Sequence, residues 1–118
     1  MQVKDVLELT KALGGTYDNP FSRQDGEYVL RNGKSGKWFG IYLRLPAWFC
    51  GGERSETGLN LKCLPEISAL LRGEYAGILP AYHMNKEHWI TVRLDGSVPD
   101  EMIADLMRSA YDIVDKKR

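Results

Sequence analysis

The sequence predicts an α+β fold with the element order α-β-β-β-α-β-α, a largely antiparallel sheet, and helices packed on one face of that sheet. Three observations predict this class. Apolar residues recur at helical spacing in three segments, they alternate with a period of two in four others, and a hairpin-type turn separates the first two strands. A length of 118 residues suits one domain, spanning 1–118, and leaves no room for two well-packed ones.

Three segments have the apolar spacing of an amphipathic helix. Residues 2–13 form the first helix, and two glycines end it. The second helix begins at Pro65, since proline lacks only an N–H group that the first turn would leave unpaired, and it ends at Gly73. The third begins after Pro99, where acidic residues suit the helix dipole, and its apolar stripe reaches Val114.

Four segments alternate apolar with other side chains and are predicted to be strands. They are residues 27–31, 37–45, 56–63 and 89–94. An Asn-Gly turn follows the first strand, residues 16–24 and 47–55 are predicted loops, and residues 78–82 form an apolar connection that Pro80 interrupts. The side of the sheet that faces the helices is predicted to present Phe39, Ile41, Leu43, Leu59, Leu61, Ile90 and Val92.

The other face of the predicted sheet combines aromatic and basic side chains. Alternation places on it Trp38, Tyr42, Arg44, Asn60, Lys62, Trp89, Thr91 and Arg93. Aromatic rings stack nucleobases and cations hold phosphates, so this face and the adjoining turn predict a nucleic-acid-binding surface. Its predicted members are Lys34, Lys37, Trp38, Tyr42, Arg44, Lys62, Trp89 and Arg93.

Two other interpretations of this face stay open. Tryptophan, tyrosine and arginine are also enriched where proteins contact one another, so the face can equally be a protein-interaction surface. Alternatively, the loop that contains Trp48 and Phe49 folds back and covers the aromatic side chains. The exposure of Trp38 and Trp89 distinguishes these interpretations, because a stacking surface requires accessible rings.

The charge distribution limits the expected strength of nucleic-acid binding. Sixteen basic and sixteen acidic residues give a formal net charge of zero, whereas strong nonspecific polyanion binders are usually basic overall. Residues 28–62 nevertheless contain six basic and two acidic residues, a local net charge of +4. Any contact with phosphate is therefore expected to be local.

Several classes of protein are not expected. No apolar run approaches the roughly 20 residues of a membrane-spanning helix, and the N-terminus does not resemble a signal peptide, so we expect a cytoplasmic protein with no membrane partner. Cys50 and Cys63 are the only cysteines and are expected to be free, mostly buried thiols. No further ligands stand at metal spacing beside His83 and His88, so neither a metal site nor a cofactor is predicted.

The segment HMNKEHWITVRLDGSVPD, from His83 to Asp100, concentrates polar side chains. A histidine can act as a general acid or base, but no nucleophile or paired base stands beside this one. We therefore favour a structural role, in which the polar side chains hold backbone groups before the strand begins. An enzyme or small-ligand site built from His83, Asn85, Lys86 and His88 is the alternative.

The C-terminal half of the sequence resembles the MmcQ/YjbR family of small bacterial proteins. The resemblance rests on LNLKC followed by PE, then LLRGEYAGILPAYHMNKEHWITVRLDGSVPDEMIADLM, over about residues 59–114. Its most specific positions are His83, Asn85, Lys86, His88, Trp89, Asp95 and Gly96. Leu64 departs from the family pattern, which often places a capping residue before Pro65, so a weaker start to that helix is expected.

The resemblance implies a fold described as a double wing, related to the frataxin-like group, and a DNA-binding role assigned mainly by structural analogy. It supplies no catalytic residues. Together with the local basic segment, it predicts a non-enzymatic DNA-binding module without a cofactor. A protein-interaction module that uses the same aromatic face is the first alternative, and the oligomeric state is left open.

Overall fold

The computed structural model describes residues 1–20 and 26–116. Its elements are α1 (Val3–Ala12), β1 (Thr16–Asp18), β2 (Tyr28–Arg31), β3 (Trp38–Leu45), α2 (Ala47–Cys50), β4 (Glu56–Lys62), α3 (Pro65–Glu74), β5 (Ile78–Pro80), β6 (Trp89–Arg93) and α4 (Asp100–Ile113). The predicted α+β class is confirmed. All the helices and strands predicted from periodicity are present, because amphipathic spacing and turn residues are local signals.

Three short elements lie where the sequence predicted none. The predicted loop at 16–24 contains β1, although its residues 21–24 lie outside the described part of the chain. The predicted loop at 47–55 contains α2, and the apolar connection at 78–82 contains β5. These elements are three or four residues long, which is too short for either periodicity to be recognised in a sequence.

The strands form one antiparallel sheet in the order β1-β2-β3-β4-β6-β5. The three longer helices pack on one face, where α4 crosses β3 and β4 while α3 lies against β5 and β6. The core between sheet and helices includes Leu59, Leu61, Ile90 and Val92. These four side chains were predicted to face the helices, and the structure confirms that prediction. We call the opposite face of the sheet the open face.

A β-bulge changes the facing of β3. Leu30 is paired with Gly40, yet the next residue of β2, Arg31, is paired with Trp38, so Phe39 is an extra residue in the ladder. Phe39 packs against Tyr111 of α4, with ring centroids 5.2 Å apart. The bulge therefore places Trp38 on the open face while Phe39 still faces the helices as predicted.

Beyond the bulge, the predicted facing of β3 is wrong. Tyr42 lies opposite Leu59 and belongs to the core under the helices rather than to the open face. Arg44 shares the facing of Tyr42 at the exposed end of the strand, while Ile41 and Leu43 face the open side. An unbroken period of two cannot predict this, because the extra residue shifts the phase for part of the strand.

The turn between β2 and β3 is fixed to the end of α4. The Asn32 side-chain amide donates hydrogen bonds to the carbonyl of Tyr111 (3.2 Å) and to Asp115 Oδ1 (2.8 Å). The Asn32 Oδ1 atom accepts hydrogen bonds from the backbone N–H groups of Lys34 and Ser35. This turn between β2 and β3, which we call the clamped turn, is therefore a packed element of the fold. Its lysines start from a backbone that has a defined position.

The start of α3 agrees with its sequence. Leu64 occupies the N-cap position without a side-chain hydrogen bond, and Pro65 is the first helical residue. The expectation that Leu64 supplies no cap is confirmed. Leu64, Ile67 and Leu70 are exposed on this helix.

Candidate functional site

A pocket of about 340 Å³ lies on the open face, between the sheet and the chain that connects β5 to β6. We call it the open-face pocket. It is lined by Glu27, Trp38, Ile41, Leu43, Arg44, Asn60, Tyr82, His83 and Met84. Its volume falls near the lower end of the range for small-molecule sites, and its lining combines apolar walls with a few polar groups, as such sites do.

A buried hydrogen-bond network forms one side of this pocket. The Asn60 side-chain amide donates to the carbonyl of Tyr82 (2.9 Å), and the Thr91 hydroxyl donates to Asn60 Oδ1 (2.5 Å). The Tyr82 N–H group in turn donates to Thr91 Oγ1 (2.9 Å). Asn60 is 1% exposed and Thr91 is fully buried. Because buried polar groups are costly when unpaired, this closed network fixes the position of Tyr82 above the sheet.

His83 has an unusual backbone conformation at the rim of the pocket. Its φ angle is +56°, and among the described residues it is the only one other than glycine with a positive φ. Such a conformation costs an L-residue roughly 1–3 kcal/mol and persists only where the surroundings impose it. The His83 ring lies beside the Tyr82 ring, with centroids 4.0 Å apart. The rim is therefore held in one conformation at some cost in stability.

Aromatic side chains of the short helix α2 lie against Tyr82. The Phe49 and Tyr82 ring centroids are 5.0 Å apart, and those of Trp48 and Tyr82 are 6.1 Å apart. Trp48 nevertheless remains 73% exposed. The sequence left open whether Trp48 and Phe49 cover the aromatic face of the sheet. In the structure both rings contact the Tyr82 ring.

The two tryptophans of the predicted stacking surface differ in exposure. Trp89 is only 8% exposed, and the Lys62 ammonium lies 5.2 Å from its ring centroid. Trp38 is half-buried, with the Arg31 guanidinium carbon 5.5 Å from its ring centroid. Trp38 therefore offers more ring surface than Trp89, and the buried Tyr42 ring is not part of the open face.

The basic residues of the predicted surface separate into two groups at opposite ends of the sheet. Arg44 and Arg93 lie near the end where Leu45 is paired with Glu56. Arg93 forms ion pairs with Glu56 (2.7 Å) and Asp95 (3.2 Å). Hydrogen bonding to Glu56 raises the pKa of Arg93, so its charge is held and largely compensated within the protein.

The other group lies at the end where β6 begins. Lys34 and Lys37 occupy the clamped turn, and Lys34 forms an ion pair of 3.5 Å with Asp115. Arg31 lies opposite Trp38, and Lys62 lies opposite Trp89. Since β2, β3, β4 and β6 are successive neighbours, these four side chains form a cation–aromatic row across the sheet, consisting of Arg31, Trp38, Lys62 and Trp89.

Sequence reasoning missed several residues of this face. Arg31 and Glu27 belong to the strand predicted at 27–31, and extending the same alternation to that strand could have placed both on one face. Ile41 and Leu43 were assigned to the helix side because the bulge was not recognised. Met84 carries no sequence signal, since it reaches the pocket only through the turn at His83.

In the His83–Asp100 segment, the Asn85 side chain holds backbone groups before β6 begins. Asn85 Oδ1 accepts hydrogen bonds from the N–H groups of Glu87 (2.8 Å) and His88 (3.1 Å). His83 lines the open-face pocket, whereas Lys86 and His88 are exposed and are not among its lining residues.

The Asp95–Gly96 turn closes in a similar way. The Asp95 carboxylate accepts hydrogen bonds from the N–H and hydroxyl groups of Ser97, while Gly96 adopts a φ of +92°. Partial burial opposes ionisation of Asp95, but the Ser97 hydrogen bonds and the charge of Arg93 hold its pKa below the usual value.

Within residues 1–20 and 26–116, no group of three or more histidine, cysteine, aspartate or glutamate side chains could hold a metal ion. Over the same residues, no helix has both the length and the apolar character that a membrane crossing requires.

Comparison with known proteins identifies the chain. A family model described as YjbR matches residues 11–113. The chain belongs to the YjbR family. The resemblance seen in the sequence is thereby confirmed, and the match extends into the N-terminal half. The uncharacterized protein YyaQ of Bacillus subtilis is 37% identical to this YjbR-family chain over 112 residues, which cover 92% of this chain and 93% of YyaQ.

Other relatives of the YjbR-family chain are also bacterial. The uncharacterized protein YjbR of Escherichia coli is 45% identical over 57 residues, or 48% of either chain. A crystal structure of a Pseudomonas syringae protein superposes with a TM-score of 0.88 at 32% identity, covering 97% of this chain and 99% of that one. A Deinococcus radiodurans protein with the domain called DUF419 gives a TM-score of 0.77 at 30% identity, covering 98% and 80%.

Proposed function

We propose that this YjbR-family chain is a non-enzymatic DNA-binding module and that it contacts single-stranded DNA through the open face. The observation that carries this proposal is the cation–aromatic row, in which four neighbouring strands contribute Arg31, Trp38, Lys62 and Trp89 in turn. Proteins that hold single strands combine cations along the backbone with aromatic rings for the bases. The adjacent Lys37 is exposed and adds charge at the same end of the sheet.

The balance of charges favours a single strand over a duplex. The net charge is zero, and Arg93, Lys34 and Arg31 each have a carboxylate partner, which for Arg31 is Asp18 at 2.8 Å. Few cations therefore remain to follow the phosphates of a duplex. A single strand presents unstacked bases, so one accessible ring contributes directly to binding. Weak, salt-dependent binding is expected.

Fluorescence anisotropy with a labelled oligonucleotide across a salt series tests this proposal. Each phosphate neutralised on a single strand contributes about −0.7 to the slope of log K against log salt. If Lys37 and Lys62 each contact one phosphate, Lys37→Gln and Lys62→Gln should each weaken binding and reduce the slope by about 0.7. Lys4→Gln, on the helix side of the molecule, is the matched control and should change neither quantity.

Two results would overturn DNA binding itself, and a third would overturn its place on the open face. One is the absence of binding at low salt, and the other is an affinity that does not respond to salt. An equal loss of affinity in Lys4→Gln and Lys62→Gln would show that the contact is not on the open face.

A protein-interaction surface on the same side is the second candidate function. The exposed Trp48 favours it, because tryptophan is over-represented among residues that dominate protein–protein binding. Light scattering and pull-down with the Trp48→Ala variant test it. Loss of a protein contact in this variant, with no DNA binding in the wild type, would favour this candidate over the first.

The thiols support the non-enzymatic part of the proposal and a cytoplasmic location. Cys50 and Cys63 are free, as is usual where thiols stay reduced. Burial raises the pKa of both thiols, and the neighbouring Glu56 adds to this effect at Cys50. A thiol with a raised pKa is a poor nucleophile near neutral pH. No cofactor is part of this proposal.

A further inference from the structure

We propose that the groove between α3 and α4 docks a basic amphipathic helix of a partner protein. This groove, which we call the α3–α4 groove, has a volume of about 370 Å³ and lies on the side of the sheet that carries the helices. Its lining residues are Lys62, Cys63, Leu64, Ile67, Leu106, Ser109, Asp112 and Ile113. The inference goes beyond the proposed function and does not rest on it, because it concerns the helices and not the open face.

The helix α3 places much of its apolar surface on the outside. A surface helix ordinarily turns its apolar stripe toward the core. The buried residues of α3 are Ser68 and Leu71, so one of the two is polar. Ile67 and Leu70 are exposed instead, and Leu70 is 61% exposed. Together with the exposed Leu64 at the N-cap, they form an apolar cluster of the kind that marks an interaction site.

This cluster continues the wall of the groove. Residues three, four and seven positions apart share one side of a helix, so Ile67, Leu70 and Glu74 form one stripe along α3. The opposite wall is α4, which contributes Leu106 and Ile113, also seven positions apart. An apolar groove with helical walls is a common docking site for a third helix, which inserts apolar residues at helical spacing.

A carboxylate lies at each end of the groove. Asp112 lines it near the end of α4, beside the first residues of α3. The two helices run in opposite directions, since Gly77, just after α3, packs against Ser97, just before α4. Glu74, the last residue of α3, therefore lies toward the other end. At about 1.5 Å per residue, the stretch of α3 from Ile67 to Glu74 spans roughly 10 Å.

Both carboxylates are available to a partner. Glu74 and Asp112 are exposed. Neither forms an ion pair with any residue in the described part of the chain. A cation brought by a partner would therefore find a carboxylate that has no internal competitor at either end of the groove.

The basic residues near the groove are engaged elsewhere. The Lys62 ammonium lies 5.2 Å from the centroid of the Trp89 ring. Arg108 forms an ion pair of 2.8 Å within its own helix. Arg72 follows the buried Ser68 by four residues, and its Nε donates a hydrogen bond to the Ser68 carbonyl (3.3 Å). The charges that the groove leaves unpaired are thus negative.

These features favour one class of occupant. An apolar stripe would fill the groove, and a cation at each end of that stripe would pair with Asp112 and Glu74. On a helix, two basic residues about seven positions apart match the roughly 10 Å between the ends. An acidic helix would meet like charges. The α3 helix of a second copy fits less well, because its exposed stripe carries Glu74 and no basic residue.

An NMR titration of the full chain tests the inference with three synthetic, lactam-bridged helical peptides. The first carries a leucine stripe between two lysines about seven positions apart, the second has glutamates for those lysines, and the third has serines for the leucines. The first should shift the methyl resonances of Ile67, Leu106 and Ile113. The second should bind at least about tenfold more weakly because of like-charge repulsion, and the third should not bind.

Variants with matched controls locate the contact. Leu70→Ala should weaken binding of the lysine peptide about tenfold, and Trp48→Ala, which truncates another exposed side chain, should not. Leu70→Ala keeps the fold, because the position is exposed and alanine favours helix. Asp112→Asn and Glu74→Gln should each weaken binding about two- to fivefold. Glu87→Gln changes an exposed acid outside the groove and should have no effect.

The inference is overturned if the lysine peptide leaves the groove methyl resonances unshifted, or if the lysine and glutamate peptides bind alike. It is also overturned if light scattering shows self-association that Leu70→Ala abolishes while the lysine peptide does not bind, since a second copy would then occupy the groove. Oligonucleotide binding is measured on the same samples. If the lysine peptide binds in the groove and no oligonucleotide binds, the inference holds and the proposed function fails.

Discussion

Replacing Thr91 by valine removes the hydroxyl group that joins the sheet to the segment above the open-face pocket. The substitution keeps the branched shape of the side chain, so packing in β6 is largely preserved. It deletes the hydrogen bond that Thr91 donates to Asn60 and the one that it accepts from the Tyr82 N–H group. Both partner groups would then lack a bond, in a region where Thr91 and Asn60 are almost fully buried.

The size of the effect follows from these two groups. A buried donor or acceptor left without its partner costs about 1–3 kcal/mol. The added methyl group returns at most about 0.8 kcal/mol. For the two groups together, we therefore expect Thr91→Val to lower the free energy of unfolding by about 1–5 kcal/mol. For a chain of this length, about 1 kcal/mol corresponds to roughly 4 °C, so the melting temperature should fall by roughly 4–20 °C.

Urea unfolding measures this loss, and amide hydrogen exchange at Tyr82 locates it. Thr57→Val makes the same chemical change at a half-buried position of β4 and should alter stability by no more than about 0.5 kcal/mol. The reasoning is refuted if the two variants are equally stable, or if the Tyr82 amide stays as protected in Thr91→Val as in the wild type.

Two further predictions concern the clamped turn between β2 and β3. A Cβ atom at Gly33 would lie 2.0 Å from the carbonyl oxygen of Gly14, so Gly33→Ala should destabilise the fold by about 1–3 kcal/mol in urea unfolding. Gly52→Ala meets no atom within 4 Å and is the control; equal stability of the two variants would contradict the prediction. The hydrogen bond from Asn32 lowers the pKa of Asp115 in the folded protein. A carboxyl group whose pKa is lower in the folded state than in the unfolded state stabilises the fold above its unfolded-state pKa. That stabilisation is lost as the pH falls through its folded-state pKa. Asp115→Asn should therefore have a lower free energy of unfolding than the wild type at neutral pH, and this difference should disappear as the pH falls below about 4. A difference that does not change with pH would contradict the prediction.

The strands of the open face show how far sequence patterns reach. The alternation in β4 and β6 correctly placed Asn60, Lys62 and Thr91 opposite the apolar residues, because neither strand contains an irregularity. The same rule failed beyond Phe39 in β3, where the bulge adds one residue and reverses the facing of the rest of the strand. A bulge is decided by how two strands pair, and the sequence of one strand does not reveal it.

The candidate site depended on contacts between residues far apart in the chain. Arg93 was assigned to the nucleic-acid surface from its position in β6, but Glu56, on the neighbouring strand, takes up much of its charge. The exposure of Trp89, which the sequence left open, proves to be low, because its ring is buried beside Lys62. Pairing and burial of this kind are set by the register between strands, which a single sequence does not specify.

The sequence alone determined the α+β class, the longer helices and strands, and the likeness to a family that the comparisons confirmed. These follow from local periodicity, turn residues and a motif, all of which are contained in short stretches of chain. Only the tertiary structure decided the bulge at Phe39, the strained conformation of His83 and the pocket between them. Each of these arises where segments distant in sequence meet, so its cause is packing and pairing across the sheet and not the local order of residues.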